Sequence, residues 1–255
     1  MTAWDWCVAV MALMLTGISK VGFGGGAGVL ATPLLAAVFP PRDAVGILLP
    51  LLIVSDVIAV WHYWRDVRWR VLGYLWPGMV VGIGLGALMF ATVSDGQLRV
   101  MIGAVCLLFC ALQWWRRVIL RLEEGWRPNW PWGSAVGLAA GFTSTLAHAA
   151  GPVLVMYLVP QHLAPAIYVG TNSVFFAVLN LMKVPPYLHQ GLINAHTLWL
   201  AALGAPAIIL GSFVGVWLNR RFDSNRFGLV IYGLLFLTGL ELLGGRSFLL
   251  GLSGD

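Results

Sequence analysis

The sequence predicts an all-α fold: a polytopic helical membrane protein of two inverted repeats, each beginning with a broken or re-entrant helix pair. Three observations carry this expectation. Of the 255 residues 60% are hydrophobic and 10% charged, with a mean hydropathy of +0.87, and a water-exposed domain of that size has nowhere to hide so much apolar surface. Apolar runs follow one another twice in the same order, a broken pair and then full-length runs, which marks an internal repeat. Arginines cluster in short loops, as they do where charge sets membrane topology.

Taken in order, Trp4–Ser19 is apolar and barely long enough to cross a hydrocarbon core of about 30 Å. Five glycines follow within seven residues, Gly22, Gly24, Gly25, Gly26 and Gly28, and glycine unwinds a helix. Val29–Phe39 reads as a half-helix or re-entrant arm, because its residues make only about 16 Å of helix. Pro40 and Pro41 end it. Ala44–Trp64 is a full span with Asp56 inside, and Leu72–Val93 and Gln97–Trp115 complete the first repeat, residues 1–115. Residues 116–132 are the one polar linker of any length, with Arg116, Arg117, Arg121, Glu123, Glu124 and Arg127.

The pattern restarts in the second repeat, residues 133–255. Gly133–His148 is broken at Ala149–Pro152, Val153–Val159 is a second half-length arm, and Ala166–Lys183, Thr197–Asn219 and Phe227–Gly244 are full spans. Gly46 precedes Asp56 by ten residues and Gly170 precedes Asn180 by ten. Asp56 and Asn180 are therefore read as equivalent positions.

Alternate crossing puts ten arginines on one face, among them Arg65, Arg68, Arg70, Arg116, Arg117, Arg220 and Arg221, against Arg42, Arg99 and Arg246 on the other. The positive-inside rule then makes the linker cytoplasmic and both termini periplasmic, in a bacterial inner membrane. The second half starts from the opposite side to the first, so the repeats are inverted. Tryptophans near span ends serve as interface anchors. The pI near 9.4 does not indicate nucleic acid, since the basic residues sit in short loops. Cys7, Cys106 and Cys110 lie in apolar runs and read as packing residues, with no metal or other cofactor expected. No Lys or Arg precedes the first apolar run, so it reads as a retained segment and not a signal peptide.

The site follows from backbone accounting. In hydrocarbon, unwound peptide is tolerated only where protein or a polar cavity covers it, so two breaks in inverted halves are expected to share a mid-membrane cavity. Free amides there, with Lys20 as a unit charge, suit a tetrahedral oxyanion. Expected substrate-binding residues are Lys20, Gly24, Gly25, Gly26, Gly28, His148, Gly151, Gly170, Thr171, Asn172, Ser173 and Asn180, with Asp56 and Glu241 as coupling or gating residues. Each has a structural reading beside it: Lys20 snorkelling to an interface, Asp56 bonding between helices, Glu241 capping a neighbour. His62 and Lys183 read as interfacial, with Lys183 a rival counter-charge to Lys20. Gly78, Gly82, Gly84 and Gly86 read as small-residue helix packing. The chain has no HExxH, GxSxG or paired-acid motif and no Gly-x4-Gly-Lys-Ser/Thr, so an intramembrane enzyme lacks its motif and a primary pump is excluded within this chain. A small-anion permease and an anion channel remain, as monomer or homodimer.

The glycine-rich break before a Pro33-containing arm, its second copy at Gly151–Leu158, the Gly170–Asn172 motif and Asn180 together resemble the sulfite exporter TauE/SafE family of bacterial inner-membrane permeases, over nearly the whole chain. The resemblance implies transport of sulfite, sulfonates such as sulfoacetate, or other small anions. By motif it carries over Gly24, Gly25, Gly26, Pro33, Gly151, Gly170, Thr171, Asn172 and Asn180. The second break, Ala147–Gly151, has no full glycine cluster.

Overall fold

The computed structural model describes residues 3–23, 31–119 and 129–219, and every regular element among them is helical. In order these are α1 (Ala3–Phe23), α2 (Ala31–Val38), α3 (Pro41–Tyr63), α4 (Trp69–Thr92), α5 (Asp95–Ile119), α6 (Trp130–Ala147), α7 (Ala150–Leu158), α8 (Pro165–His189) and α9 (Ala195–Asn219). A long helix followed by a short one occurs twice, as α1 then α2 and as α6 then α7. The expected Phe227–Gly244 span, Glu241, and Gly24, Gly25, Gly26 and Gly28 lie outside the described residues.

Local chemistry sets several helix starts. Pro41 and Pro165 each open a helix, where a missing N–H costs nothing and the fixed φ already suits the first turn. Asn129 caps α6, its side-chain oxygen accepting from the Trp132 N–H at 3.0 Å. Three expected boundaries move. Helix α1 runs past Ser19 to Phe23, so Gly22 is helical and not part of the expected break. Helix α8 runs through Pro185 and Pro186 to His189, where the sequence reading stopped at Lys183. The prolines remove only their own donors, and the other bonds of α8 and its packing carry the helix on. Helix α5 continues past Arg116 and Arg117 to Ile119, so part of the expected linker is helical.

Among the described residues four helices are long and apolar enough to cross a membrane: Pro41–Tyr63, Trp69–Thr92, Ala166–His189 and Ala195–Leu218. Trp6–Gly22 and Ala150–Gln161 are shorter apolar stretches. Their outward faces are apolar, with Leu88 69% and Trp199 65% exposed, as suits contact with lipid tails. Trp61, Trp64, Trp69, Trp130, Trp132 and Trp217 are exposed near helix ends. Cys7 is exposed and so is not the packing residue expected; the side chains of Cys106 and Cys110 lie outside the described residues.

Two helix pairs pack at very short range, α4 along α6 and α1 along α9. A methyl group on Gly78 or Gly82 would collide with the Ser134 or Leu138 carbonyl, and one on Gly137 with the Leu75 carbonyl. On the other side Gly22 and Gly215 face each other in the same way. Backbones can approach this closely only without side chains, as in small-residue membrane interfaces. Gly84 is an exception, with nothing near its Cβ position.

Helices α3 and α8 also pack on each other, running antiparallel. Gly170, near the start of α8, lies against the Tyr63 and Asp66 carbonyls at the end of α3. Gly46, near the start of α3, lies against the Leu192 carbonyl just beyond α8. Midway between, the Asn180 amide donates to Asp56 Oδ2 at 2.7 Å. Arg42 ties the start of α3 to the α4–α5 turn, through Asp95 at 2.8 Å and the Val93 carbonyl at 2.5 Å.

Candidate functional site

Lys20 occupies the last turn of α1 and is 5% exposed, so it does not snorkel to an interface. Its ammonium pairs with Asp56 Oδ1 at 2.8 Å, donates to the Leu52 carbonyl at 3.1 Å and lies 5.3 Å from the Phe176 ring centroid. Asp56 is thus held on both oxygens, by Lys20 and by Asn180. The pair is closed and formally neutral. Its charges are spent on each other, which offsets the cost of burying them.

A second cluster forms at the α6–α7 break. Helix α6 ends at Ala147, His148 turns the chain in the left-handed region at φ 51°, and α7 begins at Ala150. The turn orients the His148 ring between α3 and α8. Its Nε2 is 3.1 Å from the Val45 carbonyl and its Nδ1 is 2.8 Å from Lys183 Nζ. Lys183 also donates to Ser144 Oγ at 3.0 Å and to the Ser144 carbonyl at 3.3 Å. It is fully buried, which corrects its reading as an interfacial residue. Among the described residues no carboxylate lies within ion-pair distance of it. Tyr187, one turn further along α8, donates to the Thr145 carbonyl at 2.7 Å and presents its ring edge-on to His148.

The two clusters are neighbours along α8, where Asn180 serves the first and Lys183 the second. Asn180 and Lys183 are one turn apart, and Lys183 lies within electrostatic reach of Lys20 and Asp56, as His148 does of Lys20. Some of the expected binding residues lie apart from this centre. Lys20, Asp56 and Asn180 form one cluster, and His148, with Gly151 in the first turn of α7, lies at the other. Gly170 and Thr171 stand about 18 Å along α8 from Lys183. There Thr171 accepts the Arg68 backbone N–H at 2.9 Å, in the α3–α4 connection. Asn172 and Ser173 are buried beside them, and the Ser173 hydroxyl has no hydrogen-bond partner among the described residues.

Ser144 and Tyr187 are the residues that sequence reasoning missed at the break, and Lys183 it named only as a rival counter-charge to Lys20. The signal was present: Asn180, Lys183 and Tyr187 recur at i, i+3 and i+7, one face of a helix, and Ser144 precedes His148 by one turn. A cavity of about 840 Å³ opens between α3 and α8, lined by Ile53, Val57, Val60, Trp61 and Leu181 with Asp56 at its base. It suits an oxyanion poorly. Its walls are apolar, and both Asp56 oxygens are already engaged. Among the described residues no group of His, Cys, Asp and Glu is placed to hold a metal ion.

Apolar helices of crossing length around buried ammonium groups define a multi-pass membrane protein with an internal charged site. The chain belongs to the sulfite exporter TauE/SafE family, whose family model matches residues 9–242. Membership places it among membrane transporters. No curated protein and no solved structure matches the chain.

Proposed function

We propose that this protein is a secondary transporter that moves sulfite, sulfonates such as sulfoacetate, or a similar small anion across the bacterial inner membrane. One observation carries the siting: Lys183 is a wholly buried ammonium held only by neutral partners, Ser144 and His148, while Lys20 is matched by Asp56. With Lys183 protonated, the described groups of the site hold one positive charge in excess. A buried charge without a counter-ion is expensive, and an anion arriving beside it supplies the missing partner. The α6–α7 break adds backbone amides of the first turn of α7, a favourable end for an anion.

Lys183 therefore replaces Lys20 as the primary counter-charge in this reading. Lys20, Asp56 and Asn180 become the joint about which the two halves meet. The halves are inverted repeats, one made of residues 1–115 and the other of residues 133–255, joined by a cytoplasmic linker, and they alternate access to the site by moving against each other. The pairing of α1 with α9 and of α4 with α6 supports this, because exchanging the halves exchanges the two pairs. Contact of Asp56 with Asn180 supports it too, since equivalent residues touch where a twofold axis passes.

The test is flux of labelled sulfite and sulfoacetate into proteoliposomes. Wild-type protein should give saturable uptake. Lys183→Gln should raise the half-saturating concentration by about 100-fold, since a unit charge about 4 Å from the anion is worth up to about 4 kcal/mol at an effective dielectric of 20. Lys183→Arg should lose less. Uptake by Lys183→Gln at wild-type affinity would remove this residue from the site.

A further inference from the structure

We infer that Lys183 and His148 make the protein carry one proton with each anion. The inference deepens the transport reading above and rests on it. His148 Nε2 faces the Val45 carbonyl, an oxygen that only accepts, so Nε2 carries the ring hydrogen. Nδ1 then offers its lone pair, and the Lys183 ammonium donates to it at 2.8 Å. The imidazole is neutral in this arrangement. Lys183 spends its remaining donors on Ser144.

An oxyanion entering the break takes over donors of Lys183, because an ionised acceptor makes the stronger hydrogen bond. His148 Nδ1 is then left with a lone pair facing the anion, and two acceptors repel. The contact becomes attractive when Nδ1 takes a proton from water on the loading side. Both ring nitrogens then donate, one to the anion and one to the Val45 carbonyl. On the far side the anion leaves, and ammonium and imidazolium are left facing each other. The ring returns its Nδ1 proton to water there, and Lys183 donates to the lone pair again. One proton is taken up and one released per anion, and neither residue is changed. By linkage, each ligand raises the affinity for the other by the same factor.

Among the described residues nothing else around the pair is placed to do this. Helix α1 contributes Lys20, whose charge is closed against Asp56 of α3. Helix α6 contributes Ser144 and Thr145, which do not titrate, and α8 contributes Asn180 and the Tyr187 hydroxyl, the latter bonded to the Thr145 carbonyl. Among the described residues, His148 is the one imidazole facing Lys183, and its Nδ1 lone pair becomes available once the anion takes the Lys183 donor.

Calorimetric titration of the purified full-length chain with sulfite, in two buffers of equal pH and different ionisation heat, counts protons taken up per anion bound. Sulfite brings its own protonation equilibrium, the same for every variant, so the reading is the difference between wild type and His148→Asn. The Asn amide donates and accepts without titrating. Wild type should take up about one proton more per anion than His148→Asn, and equal counts overturn the inference. Should His148→Asn bind no sulfite, methanesulfonate, ionised at all relevant pH, decides on wild type alone: about one proton supports coupling and none overturns it. Anion binding without proton uptake leaves the transport reading standing. Binding of neither anion by wild type removes that reading and this one with it.

Discussion

Lys20 and Lys183 have the same chemistry and opposite surroundings, and their variants should fail differently. Lys20→Met leaves Asp56 buried with Asn180 as its remaining partner, and breaking a buried pair from one side costs about 3–5 kcal/mol. The expected result is a large drop in melting temperature in detergent. Lys20→Met with Asp56→Asn removes both charges and should recover most of that loss, because neutral Asn can still bond to Asn180. Recovery of stability with transport intact would fit a structural joint. If the double variant stays as unstable as the single one, Lys20 does something other than neutralise Asp56. The sequence made Lys20 conspicuous because it sits beside a glycine cluster. It made Lys183 look interfacial, because Pro185 and Pro186 resemble a span end and in fact lie inside the helix, which runs on to His189.

Among the described helices, periodicity and length were enough to place the long spans and both half-length arms to within a few residues, since apolar runs and proline breaks are local signals. What the sequence could not give was which helices touch. Of the five glycines in α4, Gly78, Gly82 and Gly86 recur every fourth residue and press on α6, while Gly84, two residues off that stripe, faces open space. The spacing marks a stripe but does not say which helix packs on it. The difference makes a paired prediction. Gly82→Ala would push a methyl into the Leu138 carbonyl and the Phe142 N–H, and overpacking of this kind costs about 1–3 kcal/mol. Gly84→Ala meets nothing and should gain up to about 1 kcal/mol of helix propensity. Thermal unfolding of the two variants should therefore move in opposite directions. The candidate site was legible in a similar half-measure: His148 marked the break, but its partners Ser144 and Lys183 are 39 residues apart, and only packing brings them together.

For the whole molecule the question is whether its halves enter the membrane from opposite sides. Helices α3 and α8 hold 23 and 25 residues, each about 35 Å long, which exceeds a hydrocarbon core of about 30 Å. Whatever lies at one end of this antiparallel pair is on the other side of the bilayer from what lies at the other end. The α3–α4 connection, with Arg65 and Arg68, sits at the end marked by Gly170, and the α8–α9 connection sits at the end marked by Gly46. These connections occupy equivalent places in the two proposed repeats, so their separation is what inversion requires. Arg42 joins the Gly46 end through its bond to Asp95, which assigns the α4–α5 turn to the same side as the α8–α9 connection. The arginine balance then orients the whole. In the proposed orientation Arg65 and Arg68 face the cytoplasm, with the 116–132 linker on their side. Arg65 and His196 are both exposed, so each tolerates a cysteine probe. With Cys7 replaced by Ser, a membrane-impermeant thiol reagent added to intact spheroplasts should label His196→Cys and spare Arg65→Cys and Gly125→Cys until the membrane is opened. Labelling of Arg65→Cys and His196→Cys from the same side would defeat the inverted arrangement. Labelling of the 65 and 125 positions from outside, with 196 protected, would keep the inversion and reverse the orientation.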